Sequence, residues 1–248
     1  MWNYDLFSSL GKIFQPKTPV AALRAYEEGL NPLEMFIFKS GSAKPLNEEP
    51  YDREALERFL SRGDLDLEAN ALLISIFDRM IYLDDQELAL FAAESINIIE
   101  NRYNHRIEQI KKNGDGTILN RKDLLTLGRL FYELAVINKS REAIKKFYFR
   151  ESYHYFTQVR EKSELEFTDL EIIVRILLEL KLYENALTLF EKESRIPDAR
   201  HMYLKLEILF RMGKYAEVSS LCLRLMDDPE GLTEGQRIQI AHWIGNNE

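Results

Sequence analysis

Asn113-Gly114-Asp115-Gly116 is the segment of this sequence that comes nearest to a metal loop, because carboxylates and amides spaced around a glycine are how proteins build calcium sites. The register fails. With Gly116 at the sixth loop position, Lys111 falls at the first and Lys122 at the twelfth, where carboxylates are required. The four histidines, His105, His154, His201 and His242, form no H-x-x-x-H or H-E-x-x-H pair, so zinc has no nucleus of ligands. Cys222 is the one cysteine, which excludes an intrachain disulfide framework and a multi-cysteine zinc site. It lies in an apolar helical stripe, where a thiol serves as a small hydrophobe; a nucleophile needs an exposed electropositive setting. The acidic pairs Asp84-Asp85 and Asp227-Asp228 fall at helix ends, where Asp84 reads as a cap and the second pair as a turn before Pro229. No glycine-rich phosphate loop is present. Arg195-Ile196-Pro197-Asp198 fits an R-x-x-D pattern, but two specified residues in four carry almost no information, and an inter-helix turn accounts for them. The expectation is a chain with no catalytic residue, no metal and no cofactor.

The elements that carry these residues read as helices. Five of the seven prolines lie at or before Pro50 and the next is Pro197, leaving a long stretch free of the residue that deletes a backbone donor and breaks a helix. The net charge of −8 argues against nucleic acid, whose phosphates call for a concentrated basic surface. The uncharged core stretch from Ala69 to Phe77 falls well short of the roughly 18–20 apolar residues that span a bilayer. A cytoplasmic chain with no membrane span of its own is expected.

Three regions follow. Residues 1–50 hold short helices: Trp2, Leu6, Leu10, Ile13 and Phe14 recur at helical spacing, and Thr18-Pro19 opens a helix stopping at Gly29. Residues 51–118 hold HEAT-like helices, the first capped by Asp52 and closed by Gly63, the second from about Leu67 to Met80, the third ending at Asn113. Residues 119–248 begin with a helix capped by Asn120, followed by one from Ser140 to Lys162. Thr168-Asp169-Leu170-Glu171 and Thr233-Glu234-Gly235-Gln236 read as capping boxes, with further helices at 183–193, 197–212 and 214–226 between them.

That last region repeats. Phe149, Ser152 and Phe156 recur 34 residues later as Tyr183, Ala186 and Phe190, and 32 residues after that as Tyr215, Val218 and Cys222. Leu127-Gly128 with Phe131 supplies a first-helix pattern in which the small Gly128 admits a neighbouring helix. These residues resemble the tetratricopeptide (TPR) repeat, a helix-turn-helix unit of about 34 residues. The resemblance implies an all-α helical-repeat solenoid closed by a C-terminal capping helix. In the first unit the turn is stretched over Asn138 to Tyr148, and Lys205 stands where an apolar residue is usual.

With Leu90-Phe91-Ala92-Ala93-Glu94 and Glu100-Asn101-Arg102-Tyr103-Asn104-His105-Arg106-Ile107 ahead of Asp123-Leu124-Leu125 and Leu134-Ala135-Val136, the order of elements resembles the soluble region of the E component of the Pel exopolysaccharide secretion apparatus. What the resemblance implies is a non-catalytic scaffold for a complex on the cytoplasmic face of the inner membrane. Its partner would be the cyclic-di-GMP receptor component of that apparatus or its polymerising glycosyltransferase. That family is anchored by N-terminal membrane helices, which this sequence does not contain, so attachment through a partner or through helices outside the sequence is expected. The alternative is a cytosolic TPR-type sensor of a peptide or small ligand.

In TPR proteins the first helix of each pair lines the ligand groove. Register places Arg129, Tyr132 and Glu133, then Glu171, Arg175 and Glu179, then Tyr203, Glu207 and Arg211 on that surface. Arg129, Tyr132, Arg175, Tyr203, Glu207 and Arg211 are the expected partner-binding residues, since Arg and Tyr are enriched at interface hot spots. Arg129 and Arg175 would stack two guanidiniums along one groove, and several basic residues on an acidic chain would favour an acidic peptide or helix.

Overall fold

A computed structural model describes residues 20, 23, 24, 52–113, 119–161, 164–193, 198–227 and 230–244, and every element among them is helical. The helices are α1 (Arg53–Leu60), α2 (Leu67–Met80), α3 (Gln86–Asn113), α4 (Arg121–Ile137), α5 (Glu142–Arg160), α6 (Phe167–Glu179), α7 (Tyr183–Glu193), α8 (Ala199–Arg211), α9 (Tyr215–Asp227) and α10 (Glu234–Ile244). Of these, α1–α3 and Glu133–Lys145 form one compact unit; the remainder of α4 and α5 with α6–α10 form a second. No described helix is long and apolar enough to cross a membrane. The expected helix Trp2–Phe14, most of the helix from Thr18, and the loop 39–50 lie outside the described residues. Within that stretch, Val20, Leu23 and Arg24 are helical, Leu23 is buried and Arg24 pairs with Glu68.

Local chemistry explains most helix starts. The Asp52 carboxylate accepts the Ala55 N–H at 3.0 Å, and the Asp66 carboxylate accepts that of Ala69 at 2.8 Å. Asn120 accepts the Asp123 N–H at 2.9 Å. Thr233 and Gln236 cap each other reciprocally, the Thr233 N–H donating to Gln236 Oε1 and the Gln236 N–H to Thr233 Oγ1. Three sequence expectations are corrected. The cap of α3 is Asp85, whose Oδ1 accepts the Glu87 and Leu88 N–H groups, and not Asp84. Thr168-Asp169-Leu170-Glu171 is not a capping box: α6 already begins at Phe167, behind Glu166, which makes no side-chain cap bond. Gly63 adopts no left-handed cap, because α1 closes on Ser61 in the right-handed helical region.

In the first unit, α1 and α2 pack on α3, whose Phe91, Ala92, Ile96, Ile99, Tyr103 and Ile107 form the buried stripe the spacing predicts. In the second unit, α6 packs on α7, α7 on α8, α8 on α6 and α9, and α9 on α10. The α6–α7 and α8–α9 connections share one geometry. Lys181 (φ 62) and Gly213 (φ 75) each take the left-handed conformation. The N–H of Leu182 reaches the Leu177 carbonyl at 2.8 Å, and that of Lys214 reaches the Leu209 carbonyl at 3.0 Å. Both are Schellman closures, which satisfy carbonyls left over at the helix end. Immediately after them, Ala186 and Val218 are buried at equivalent positions, as are Phe190 and Cys222.

The expected stretched turn from Asn138 to Tyr148 is not a turn. Only residues 138–141 connect α4 to α5; the rest extends α5 by more than a turn. Gly128 does admit its neighbour: a Cβ there would lie 2.9 Å from Phe156 Cε2, and Ser152 Oγ donates to the Gly128 carbonyl at 2.6 Å.

Candidate interaction face

The six expected partner-binding residues all belong to the second unit, on α4, α6 and α8. On α6, Glu171, Arg175 and Glu179 are spaced four apart and share one face; Tyr203, Glu207 and Arg211 do the same on α8. Because α6 and α8 match at an offset of 32 residues, Arg175 is equivalent to Glu207 and Glu179 to Arg211. The sign of charge thus alternates between adjacent helices at equivalent positions, and the neighbours pair: Arg175 Nη2 lies 4.0 Å from Glu207 Oε1, and Arg211 Nη2 lies 3.7 Å from Glu179 Oε1.

The two guanidiniums expected to stack are instead held by different carboxylates. Arg175 Nη2 contacts Glu171 Oε1 at 2.8 Å on its own helix and hydrogen-bonds the Tyr132 hydroxyl on α4. Arg129 turns to Asp169, its Nε and Nη2 donating to one oxygen, Oδ1, at 3.0 and 2.7 Å. Asp169 is wholly buried while the Arg129 side chain is 46% exposed, so the pair sits at the boundary of the core. The second Asp169 oxygen is buried and accepts no hydrogen bond among the described residues.

Burial sets the electrostatics of the centre. It pushes the Glu207 carboxyl up, against the pull of Arg175, and the Glu171 charge adds to the rise. Burial also raises the Tyr132 hydroxyl, opposed by Arg175, and with the Glu207 charge it pushes Tyr203 up to about 12. For Arg175 burial acts downward, but the Glu207 and Glu171 charges overcome it and hold the guanidinium above its usual value.

Tyr203 departs most from the surface role expected of it. Its ring belongs to the core shared by α8, α9 and α10, and its hydroxyl donates to Gln239 Oε1 at 2.7 Å. Glu133 clusters with the first unit, where it hydrogen-bonds Tyr103. Three arginines therefore face the four carboxylates of Asp169, Glu171, Glu179 and Glu207, so the face is no basic strip and the charge argument for an acidic peptide loses its footing. The residues that sequence reasoning missed are Asp169 and Gln239. The signal for Asp169 is a carboxylate flanked by Leu170, Ile172 and Ile173 in an apolar helix; Gln239 has none.

Among the described residues, no three His, Cys, Asp or Glu side chains gather as metal ligands. Cys222 is fully buried, and burial raises its thiol pKa. The chain matches no protein-family model, no curated protein and no solved structure.

Proposed function

We propose that this chain is a non-catalytic protein-interaction scaffold built from stacked TPR-like helix pairs, with the α4–α6–α8 face as its docking surface. The observation that carries the proposal is the repeated closure at Lys181 and Gly213, with Ala186 and Val218 buried directly after it. One turn geometry and one packing position recurring at a fixed offset are what a repeat protein requires, and such proteins bind through surfaces made of successive units. Arg175, Glu179, Glu207 and Arg211 lie partly exposed between units, each beside an opposite charge. A face of alternating charge suits a protein surface that supplies both signs in register, because complementarity fixes orientation more than it adds affinity.

By the resemblance of its element order, the partner we propose is the cyclic-di-GMP receptor component of a Pel-type exopolysaccharide apparatus or its glycosyltransferase, met at the inner membrane. The test is a binding measurement between the purified chain and each of those two proteins. Swapping the exposed pair, Arg211→Glu with Glu179→Arg, should weaken the complex while preserving the helical spectrum. The same measurement on a chain lacking residues 1–15 should change little. Loss of binding on that deletion, with the charge swap inert, refutes the face as the docking surface.

A further inference from the structure

A cavity of about 410 Å³ opens in the first unit. Its walls are the α1–α2 connection with Arg62 and Asp66, the start of α2 with Asn70, and one face of α3. Ile99, Arg102, Tyr103 and Arg106 of α3 line it at the i, i+3, i+4, i+7 spacing of a single helical face, and Glu133 completes it. The volume falls in the range of small-molecule sites, about 300–1,000 Å³.

The charges in this cavity are unevenly matched. Arg62 is neutralised by Asp64 through two bonds of 2.9 and 2.7 Å. The Asp66 carboxylate is engaged at the start of α2, accepting from the Ala69 N–H. Among the described residues, Arg102 donates to the carbonyls of Leu60 and Arg62, which fix its position, and pairs with no carboxylate. Arg106, four residues on, makes no hydrogen bond among the described residues and feels Glu133 only at longer range. Two guanidiniums one turn apart on one helix face repel. A bidentate anion between them would turn that repulsion into paired charge-assisted hydrogen bonds. Deeper in the cavity, Asn70 Nδ2 donates to the Leu65 and Asp66 carbonyls at 3.2 and 2.9 Å, and the Tyr103 hydroxyl beside it donates to Glu133. Tyr103 and Glu133 suit ligand hydroxyls.

We infer that this cavity binds a small hydroxylated organic anion, a sugar phosphate or hydroxycarboxylate, with Arg102 and Arg106 on the anionic group and Tyr103 and Glu133 on its hydroxyls. The inference does not rest on the scaffold reading, since none of the cavity's residues is among the six expected partner-binding residues. Isothermal titration of the full chain with ribose 5-phosphate, with citrate and with inorganic phosphate tests it. At least one of the two organic anions should bind one-to-one, with Kd in the millimolar range or tighter. Arg106→Gln should weaken that binding about tenfold or more at unchanged Tm. Glu133→Gln, which removes the opposing negative charge, should tighten it. A purely structural role for these side chains would not give opposite signs. Failure of both organic anions to bind at about 10 mM overturns the inference. So does inorganic phosphate binding as tightly as either, indifferent to Arg106→Gln, which would mark an adventitious ion only.

Discussion

Arg129→Met removes a guanidinium and keeps most of the aliphatic stem, which isolates the ion pair to Asp169 from simple loss of packing. Both Arg129 donors converge on one oxygen of a carboxylate that is wholly buried and whose other oxygen is unpaired. Removing one partner of a buried pair costs about 3–5 kcal/mol, because the remaining charge stays desolvated. Arg129 is nearly half exposed, and water can reach the vacated space, so the expected loss is smaller, about 2–3 kcal/mol. Asp169→Asn should cost less than Arg129→Met, because a neutral amide is cheaper to bury than an unpaired carboxylate. In the double variant the two losses should fall short of their sum by about 1–2 kcal/mol. Urea unfolding of the four proteins, followed by circular dichroism near neutral pH, measures the cycle. If Arg129→Met costs under about 0.5 kcal/mol, the pair is an ordinary surface contact and the reasoning fails. Charge reversal at Arg129 should likewise destabilise the face it is meant to probe, because it sets a second carboxylate against Asp169.

Lys181→Gly should stabilise the chain by about 0.5–1 kcal/mol, since Lys181 holds the left-handed conformation that the equivalent Gly213 adopts without a Cβ; a lower urea midpoint would contradict this. Ala186→Leu should cost about 1–3 kcal/mol by overpacking a fully buried crossing, and an unchanged Tm would mean the repeat register is misplaced. Gly128→Ala gains about 1 kcal/mol in helix propensity but drives a Cβ into the buried Phe156 ring, so a net loss of about 1 kcal/mol in unfolding free energy is expected. Glu207 has a folded pKa above its ordinary 4.5, so the native state holds that proton more tightly than the unfolded chain does. Stability therefore falls as pH rises through that window, and Glu207→Gln should be the more stable protein near neutral pH, with its advantage shrinking as pH drops toward the unfolded value. A less stable Gln variant at neutral pH would refute this sign.

What was legible in the sequence follows the range of the interactions concerned. Asp52, Asn120 and Thr233 cap helices as read because a cap is settled within four residues, and Gly128, Ala186 and Cys222 pack as read because helical spacing encodes a buried stripe. Asp169 was misread because Thr168-Asp169-Leu170-Glu171 satisfies a local pattern, while the group that decides the carboxylate's orientation, Arg129, is forty residues away. Distance along the chain likewise hides the cavity: Arg102 and Arg106 border the apolar stripe of α3, where their spacing marks the edge of a buried face, and only folding brings the α1–α2 connection opposite them.

The face expected to meet a partner shows the same limit from the other side. Register places Arg129 and Tyr132 on α4, Arg175 on α6, and Glu207 and Arg211 on α8, yet it does not tell a side chain waiting for a partner from one already holding its neighbour. The alternation of Arg175 with Glu207 and of Glu179 with Arg211 decides between these uses in part. Pairs at 3.7–4.0 Å that remain partly exposed are each worth about 0–1 kcal/mol, so exchanging one for a partner's charge costs the fold little. The Arg129–Asp169 pair cannot be exchanged so cheaply. Any partner on this face must therefore work through the Arg175–Arg211 end, and leave Arg129 where the core needs it.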